Sequence, residues 1–370
     1  MIKTENGLVP KEQVKALMQT NIQPDAPLVR MISSNQSQEY FAVATAQGFE
    51  IIPNDSSSDK LKKKLQNLGE SVEIIEMMYK TNFIVLVLSS ARHKVVIWDD
   101  YERKNRTEIT FNSVVKNVKL RKDMLVVILE QKTFIFSFLT LQLIEQIDTG
   151  FNPLGLCGVA TAEKAISKII ALPNPSKGSI KVLNYGTCSP LFYNFSSVAE
   201  KSINSQIQAH ESELGALSVN PDGTLIASAS QKGTIIKIFS ADGGEILQTL
   251  RRGSGNATIT GIMFHPSLHI IACTSNKSSI HLFEIKASIE KCIELKQYGF
   301  SSTDTNKNTE GENKKPGLGF MKVVSRYFDC DLCLAKIKVD ERLKTVAFDE
   351  KNNRLTVMSH DRVLYFFDIP

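Results

Sequence analysis

The chain has 370 residues, 42% hydrophobic and 22% charged, with 20 Gly and 12 Pro; this describes a globular protein and excludes wholesale disorder, collagen and a coiled coil. Forty-four Lys and Arg against 39 Asp and Glu leave a net charge of +5, an excess that names a partner only where the charges cluster. The first residues (MIKTENGLVPKEQVKALMQTN) lack the apolar core of a signal peptide, and no run approaches the roughly 18 apolar residues of a membrane span. Six cysteines without an export signal read as reduced thiols, so a cytosolic location is expected.

In chain order, residues 1–27 read as an extension in which KEQVKALM (11–18) has the pattern of a short helix, and KLKKKLQN (60–67) has another. Elsewhere the prevailing pattern is the short strand: FAVATAQGFEIIP, NFIVLVL, KVVIWDD, MLVVILEQKTFIFSFL, TLIASAS, TIIKIFS, HIIACTS and SIHLFEI. Each is rich in Val, Ile or Phe and bounded by Gly, Asn, Asp, Ser or Pro. The expected class is therefore all-β.

A repeat sets the architecture. A shift of 45 residues places Leu217 on Ile262, Asn220-Pro221 on His265-Pro266, Leu225-Ile226-Ala227 on Ile270-Ile271-Ala272, Ser230 on Ser275, Lys232 on Lys277 and Ile235 on Ile280. A period of about 40–45 residues with four strands per unit is the WD-type propeller blade. The sixth unit is interrupted by a polar stretch at 286–324. Setting that stretch and the first 27 residues aside leaves about 43 residues for each of seven blades, so a seven-bladed β-propeller over 28–370 is expected. An insertion of that length is functional or disordered.

No catalytic or nucleotide-binding motif is present: no GxSxG, no HExxH and no P-loop. Cys330 and Cys333 have the spacing of half a zinc site, but no second pair completes four ligands. An enzyme is not expected, and neither a metal nor a cofactor.

The segment Leu250-Arg251-Arg252-Gly253 ends a fourth, outermost strand. Neighbouring side chains in a strand point to opposite faces, so the two arginines serve different pockets. Each faces an equivalent hairpin of the repeat: Ser230-Gln231-Lys232-Gly233-Thr234 on one side, Ser275-Asn276-Lys277-Ser278-Ser279 with His281 on the other. A guanidinium fork beside an ammonium and hydroxyls suits a phosphate monoester. Read alone, an Arg pair closing a strand protects the edge from aggregation. His210 has two readings as well, a ligand-facing residue or the structural His that opens a WD blade. Trp98-Asp99 reads as a structural WD dipeptide.

With these residues in view the sequence resembles the PROPPIN family, β-propellers that bind polyphosphoinositides and act in autophagy, and is most similar to its shorter subgroup. The resemblance runs over about 35–370 through NQSQEYFAVATAQGFEI, HKVVIWDD, GFNPLGLC, ALPNPSKGSIKVLNY, SASQKGTIIKIFSADGGEILQTLRRG and SSIHLFEI. It implies two headgroup sites for phosphatidylinositol 3-phosphate or the 3,5-bisphosphate. By motif, Arg251 serves the first with Ser230, Lys232, Thr234 and His210. Arg252 serves the second with Ser254, Ser275, Lys277, Ser279 and His281. The family's Gly-Thr is Ser278-Ser279 here, and its usual Arg in the first hairpin's following strand is Lys237.

The resemblance also implies that the insertion in the sixth blade enters a membrane. That stretch carries seven Lys and five acids, with Leu318, Phe320 and Met321 beside Lys322; apolar groups next to cations suit an anionic surface. The expected function is a monomeric peripheral scaffold on pre-autophagosomal, endosomal or vacuolar membranes. Its expected partners are phosphoinositide-containing membranes and autophagy proteins such as the bridge-like lipid-transfer protein. The competing reading is a WD-type protein–protein platform without specific lipid binding. Nucleic acid is not expected, because neither an aromatic stacking platform nor a long basic stripe is present.

Overall fold

The computed structural model describes residues 3–4, 7–8, 14–15, 27–55, 64–162, 168–186, 203–277, 279–286, 330–331, 333–339, 343–359 and 361–369. Seven four-stranded antiparallel sheets follow one another along the chain. Blade 1 runs from Val29–Ser34 to Lys64–Asn67 and blade 2 from Val72–Met77 to Lys104–Thr110. Blade 3 spans Asn117–Arg121 to Leu143–Asp148 and blade 4 Gly158–Val159 to Ile203–Gln208. The strands of blade 5 are Leu214–Val219, Leu225–Ser230, Ile235–Ser240 and Ile246–Arg251. Those of blade 6 are Ile259–Phe264, Ile270–Ser275, Ser279–Glu284 and Ala335–Lys338. The fold is the expected seven-bladed β-propeller.

Blade 7 holds Leu343–Asp349, Arg354–Ser359 and Leu364–Asp368. Its fourth strand comes from the opposite end of the chain: Val14 pairs with Phe367 and Lys15 with Phe366. The helical pattern of 11–18 therefore yields to strand at these residues. The outermost position of blade 7 would otherwise leave backbone N–H and C=O groups unpaired along an edge, and pairing there outweighs a weak local helix preference. Lys64–Asn67, read as helix within 60–67, is likewise the outer strand of blade 1, paired with Gly48–Ile51. Its alternation is masked because an outermost strand faces solvent widely; Leu65 is 60% exposed. Most of the insertion lies outside the described residues, which resume at Cys330 on its return.

The core is distributed between blades. Seven clusters of buried apolar side chains lie one in each interface. Phe239 and Ile226 of blade 5 pack on Ile169 and Val182 of blade 4, whereas Leu250, Ile236 and Ile238 pack on Ile271, Cys273 and Phe283 of blade 6. The last interface joins Val29 and Phe41 of blade 1 to Met358 and Phe366 of blade 7. Polar side chains stitch the same seam. Buried Gln38 donates to the Phe264 carbonyl and accepts from the Phe348 N–H, at 2.8 and 2.9 Å.

The 45-residue repeat has a local cause at its Asn/His-Pro positions. Asn220 accepts from the Leu225 N–H at 2.8 Å, and His265 Nδ1 accepts from Ser267 and Leu268 N–H at 3.1 and 2.9 Å. Each side chain thus closes the turn between the first and second strands of its blade.

Removal of residues 1–20 should strip the outer strand from blade 7 and expose its edge. The expected loss is about 1–2 kcal/mol, a few degrees in Tm, with increased self-association. Scanning calorimetry and sedimentation of the shortened chain check this; an unchanged Tm would count against closure through Val14–Lys15.

Candidate functional site

The outer strand of blade 5 delivers the two arginines to different interfaces. Ile235 is opposite Arg251 and Lys237 opposite Thr249 in the ladder, so Arg251, Ile235, Lys237 and Phe239 share one face. Phe239 belongs to the interface with blade 4. Leu250, two residues before Arg252 and on the same side of the alternation, is packed toward blade 6, and Arg252 acts electrostatically on Cys273 and His281 of blade 6. The opposed directions expected from strand alternation are those of the fold.

The first cleft, between blades 4 and 5, is lined on blade 5 by Ser230, Lys237 and Arg251. Ser228 lies opposite Lys237 in the ladder, and Ser230 follows it on the same face. Lys232 is exposed at the hairpin tip, with Thr234 half-buried beside it. His210 is buried and its Nε2 sits 2.9 Å from Ser228 Oγ, one position deeper than Ser230. The Lys237 ammonium donates to the Ala209 carbonyl at 2.7 Å. Lys237 therefore stands in this cleft as a cation that the hairpin motif alone does not include; its only signal in the sequence is its place in the Arg-bearing position of the resemblance.

The second cleft, between blades 5 and 6, is more enclosed. Cys273 faces blade 5 and is opposite His281, so His281, Ser279 and Ser275 share the blade 5 side. Ser279 Oγ is 3.2 Å from His281 Nε2. His281 is only 2% exposed, and its Nδ1 has no hydrogen-bond partner among the described residues. Arg252, 8% exposed, donates from Nε to the Gly233 carbonyl and from Nη2 to the Gly255 carbonyl, both at 2.5 Å. Of the five guanidinium N–H groups, these two fix the fork and leave others for an anion. Ser254 and Lys277 are exposed at the mouth, and Ser278 lies outside the described residues.

The loop carrying these groups is bound to the first hairpin. Arg252 N–H donates to the Thr234 carbonyl at 3.0 Å and Ala257 N–H to the Lys232 carbonyl at 3.1 Å. Gly233 has φ +61°, and a Cβ there would stand 1.9 Å from the Ala257 carbonyl oxygen. Only glycine allows this approach, so the Lys-Gly-Thr hairpin and the Arg-Arg-Gly segment form one unit.

Elsewhere, Asp99 of the WD dipeptide is structural. Burial favours its neutral form, but hydrogen bonds from Asn82, the Glu102 N–H, Arg106 and the Tyr101 N–H overcome this and hold the carboxyl at about 2. Cys333 packs against the blade 5–6 core, and Cys330 Sγ lies 4.0 Å from Arg251 Nη2. Leu318, Phe320 and Met321 lie outside the described residues. Among the described residues no helix is long and apolar enough to cross a membrane.

Burial, reinforced by the Lys237 ammonium, pushes the His210 ring down to about 4. Burial, with Lys336 and Arg252 nearby, pushes His281 down to about 4 as well. Both rings are neutral in the fold but titrate near 6.5 in an unfolded chain. Between pH 6.5 and 4 the unfolded state thus binds more protons, and stability falls as pH drops through that window. Each ring forfeits on the order of 3 kcal/mol once the pH is below 4. Denaturant midpoints measured from pH 7 to 4 should show a shallower decline for the His210→Gln/His281→Gln variant than for the parent; equal slopes would contradict neutral burial of the rings.

Comparison with known proteins bears on this geometry. Residues 28–333 match the family model for PROPPIN. Autophagy-related protein 18 of Emericella nidulans is 29% identical over 299 residues, covering 78% of this chain and 67% of that protein. SVP1-like protein 2 of Saccharomyces cerevisiae is 30% identical over 317 residues, covering 79% and 67%. The chain spans 63% of the length of the Aspergillus oryzae autophagy-related protein 18. Among solved structures, Kluyveromyces lactis Hsv2 with complete loop 6CD aligns with a TM-score of 0.67 at 22% identity, covering 91% of each chain. KlAtg21 in complex with the coiled coil of AgAtg16 aligns at 0.65 and 20% identity, covering 93% of this chain and 95% of that one. The last two likenesses concern the fold, whereas the family match takes in the Arg-Arg hairpin unit and both clefts: this chain belongs to the PROPPIN family.

Proposed function

We propose that this propeller binds phosphatidylinositol 3-phosphate, the 3,5-bisphosphate or both through the two clefts flanking blade 5, and that it acts without catalysis as a peripheral membrane scaffold in autophagy. The observation that carries the reading is the delivery of adjacent Arg251 and Arg252 into different clefts, each lined by hydroxyls and flanked by a lysine at its mouth. In the first cleft Arg251 joins Ser230, Lys232, Thr234 and Lys237, with His210 behind them. In the second, Arg252 joins Ser275, Ser279 and His281, with Ser254 and Lys277 at the opening. A terminal phosphate brings charge and several acceptor oxygens at once, which a guanidinium fork and hydroxyl donors match. Two weak sites on one rim reinforce one another on a surface by effective concentration.

The names of the relatives support the autophagy setting, and the coiled coil bound to KlAtg21 supports protein partners for this chain, a bridge-like lipid-transfer protein among those proposed. The compartments proposed are pre-autophagosomal, endosomal and vacuolar membranes. The engagement of Arg252 by two backbone carbonyls favours a second reading, in which that arginine only staples the loop and the propeller is a protein–protein platform.

Flotation with liposomes separates the two. Arg251→Thr/Arg252→Thr should abolish flotation with 3-phosphorylated liposomes, and each single change should leave partial binding. Circular dichroism should show an intact fold. Binding should survive 0.3 M salt, whereas phosphatidylserine liposomes of matched charge should not hold the protein, because a bilayer phosphodiester does not fill a cleft as a terminal phosphate does. Undiminished flotation of the double variant, or equal retention by phosphatidylserine, would leave only the platform reading.

Leu318, Phe320 and Met321 are proposed to enter the bilayer. Changing all three to Ser should weaken membrane association but spare a soluble headgroup, since apolar burial at about 25 cal/mol per Å² is gained only against a bilayer. Equal losses with both ligands would point to damage of the propeller itself.

A further inference from the structure

The two ends of the sixth-blade insertion meet on the outer edge of blade 5. Its exit is marked by Lys286 and its return by Asp331. The Asp331 carboxylate accepts from Lys286 Nζ at 2.9 Å through Oδ1 and from Gln248 Nε2 at 2.9 Å through Oδ2. Gln248 is 93% buried, being 7% exposed, and its amide is fully used. It also donates to the Glu284 carbonyl at 3.0 Å and accepts from the Lys286 N–H at 3.0 Å. One glutamine of blade 5 thus holds the last turn of blade 6's third strand and the returning chain together.

The backbone of Asp331 does more. Its N–H donates to the Thr249 carbonyl and its carbonyl accepts from the Arg251 N–H, both at 2.9 Å, as a parallel bridge opposite Leu250. The neighbouring Cys330 thiol stands against the Arg251 guanidinium. The outer edge of blade 5, which an Arg pair alone was expected to protect, is covered by the insertion's return at the residue that the first cleft uses.

We infer that Asp331 is a positioning residue for the first headgroup site: by clamping the insertion's two ends to Gln248 and bonding the Arg251 backbone, it fixes both the direction of Arg251 and the place on the rim where the insertion emerges. The inference rests on the lipid reading above. Backbone direction decides where a guanidinium fork points, because a small change at Cα is magnified along a long side chain. An edge strand bonded on one side only can twist, whereas this one is bonded on both: the Arg252 N–H donates to the Thr234 carbonyl of blade 5, and the Arg251 N–H to the Asp331 carbonyl. The same clamp holds Lys286 and Asp331, the described residues on either side of the insertion, against the strand that carries Arg251.

Asp331→Ala tests this in two single-site backgrounds, with soluble inositol 1,3-bisphosphate as the probe in calorimetric titration. With Arg252→Thr, where only the first cleft binds, Asp331→Ala should weaken the headgroup about tenfold, equivalent to one charge-assisted hydrogen bond lost. With Arg251→Thr, where only the second cleft binds, it should change nothing. Asp331→Asn keeps an acceptor for Gln248 and should recover part of the loss. Hydrogen exchange provides a measure independent of lipid: the Arg251 amide should exchange faster in Asp331→Ala while the Ile236 and Ile238 amides remain protected. Equal losses at both clefts, or an Arg251 amide as protected as in the parent, would overturn the inference. Headgroup binding by the Arg252→Thr parent that Asp331→Ala leaves intact would overturn this inference alone, whereas no binding by either parent would overturn the lipid reading and this inference with it.

Discussion

The inner strands of every blade are apolar on both faces, so each sheet must be covered twice, and only a closed ring covers both faces of all seven. The seven interblade clusters are the expression of that requirement. No blade has a core of its own; each half-core is completed by a neighbour, and the last by residues from opposite ends of the chain. Hydrophobic burial thereby acts as a cooperative constraint around the ring. It also determines what a cleft is in this protein, namely the outer part of an interface where apolar packing ends and polar side chains begin.

Consecutive residues on an outer strand necessarily address different interfaces, and this one geometric fact sends a single dipeptide into two clefts. Arg252 occupies the more closed cleft, where two carbonyls orient it and a neutral His281 lies within its field. Keeping the histidines neutral avoids stacking further positive charge in a poorly solvated space. Arg251 lies in the more open cleft and is oriented instead through its backbone, by the returning insertion. The two clefts are similar in composition and different in how their arginines are held.

The insertion is tied into the same arrangement. Gln248, buried at the blade 5–6 seam, has every amide group bonded, and a fully satisfied buried amide is a strong local constraint. It reads out the positions of blade 6's third strand and of Asp331 together. A long insertion would otherwise enlarge the freedom of the strands that it joins; the clamp confines its effect to the chain between Lys286 and Asp331.

The sequence by itself determined the all-β class, the 45-residue blade repeat, the blade count, the hairpins bearing Ser230-Lys232 and Ser275-Lys277, and the opposed directions of Arg251 and Arg252. All of these follow from alternation and turn chemistry between near neighbours, which a strand enforces wherever it lies. Tertiary structure alone decided that Val14–Lys15 is a strand of blade 7 and Lys64–Asn67 a strand of blade 1, because an outer strand is specified by the edge that it completes and not by its own pattern. It decided that His210 reaches Ser228, that Lys237 shares the first cleft, and that Asp331 closes on Gln248 and Lys286. Those contacts join residues between 18 and 83 positions apart, and their partners are selected by which faces and edges the closed ring leaves opposite one another.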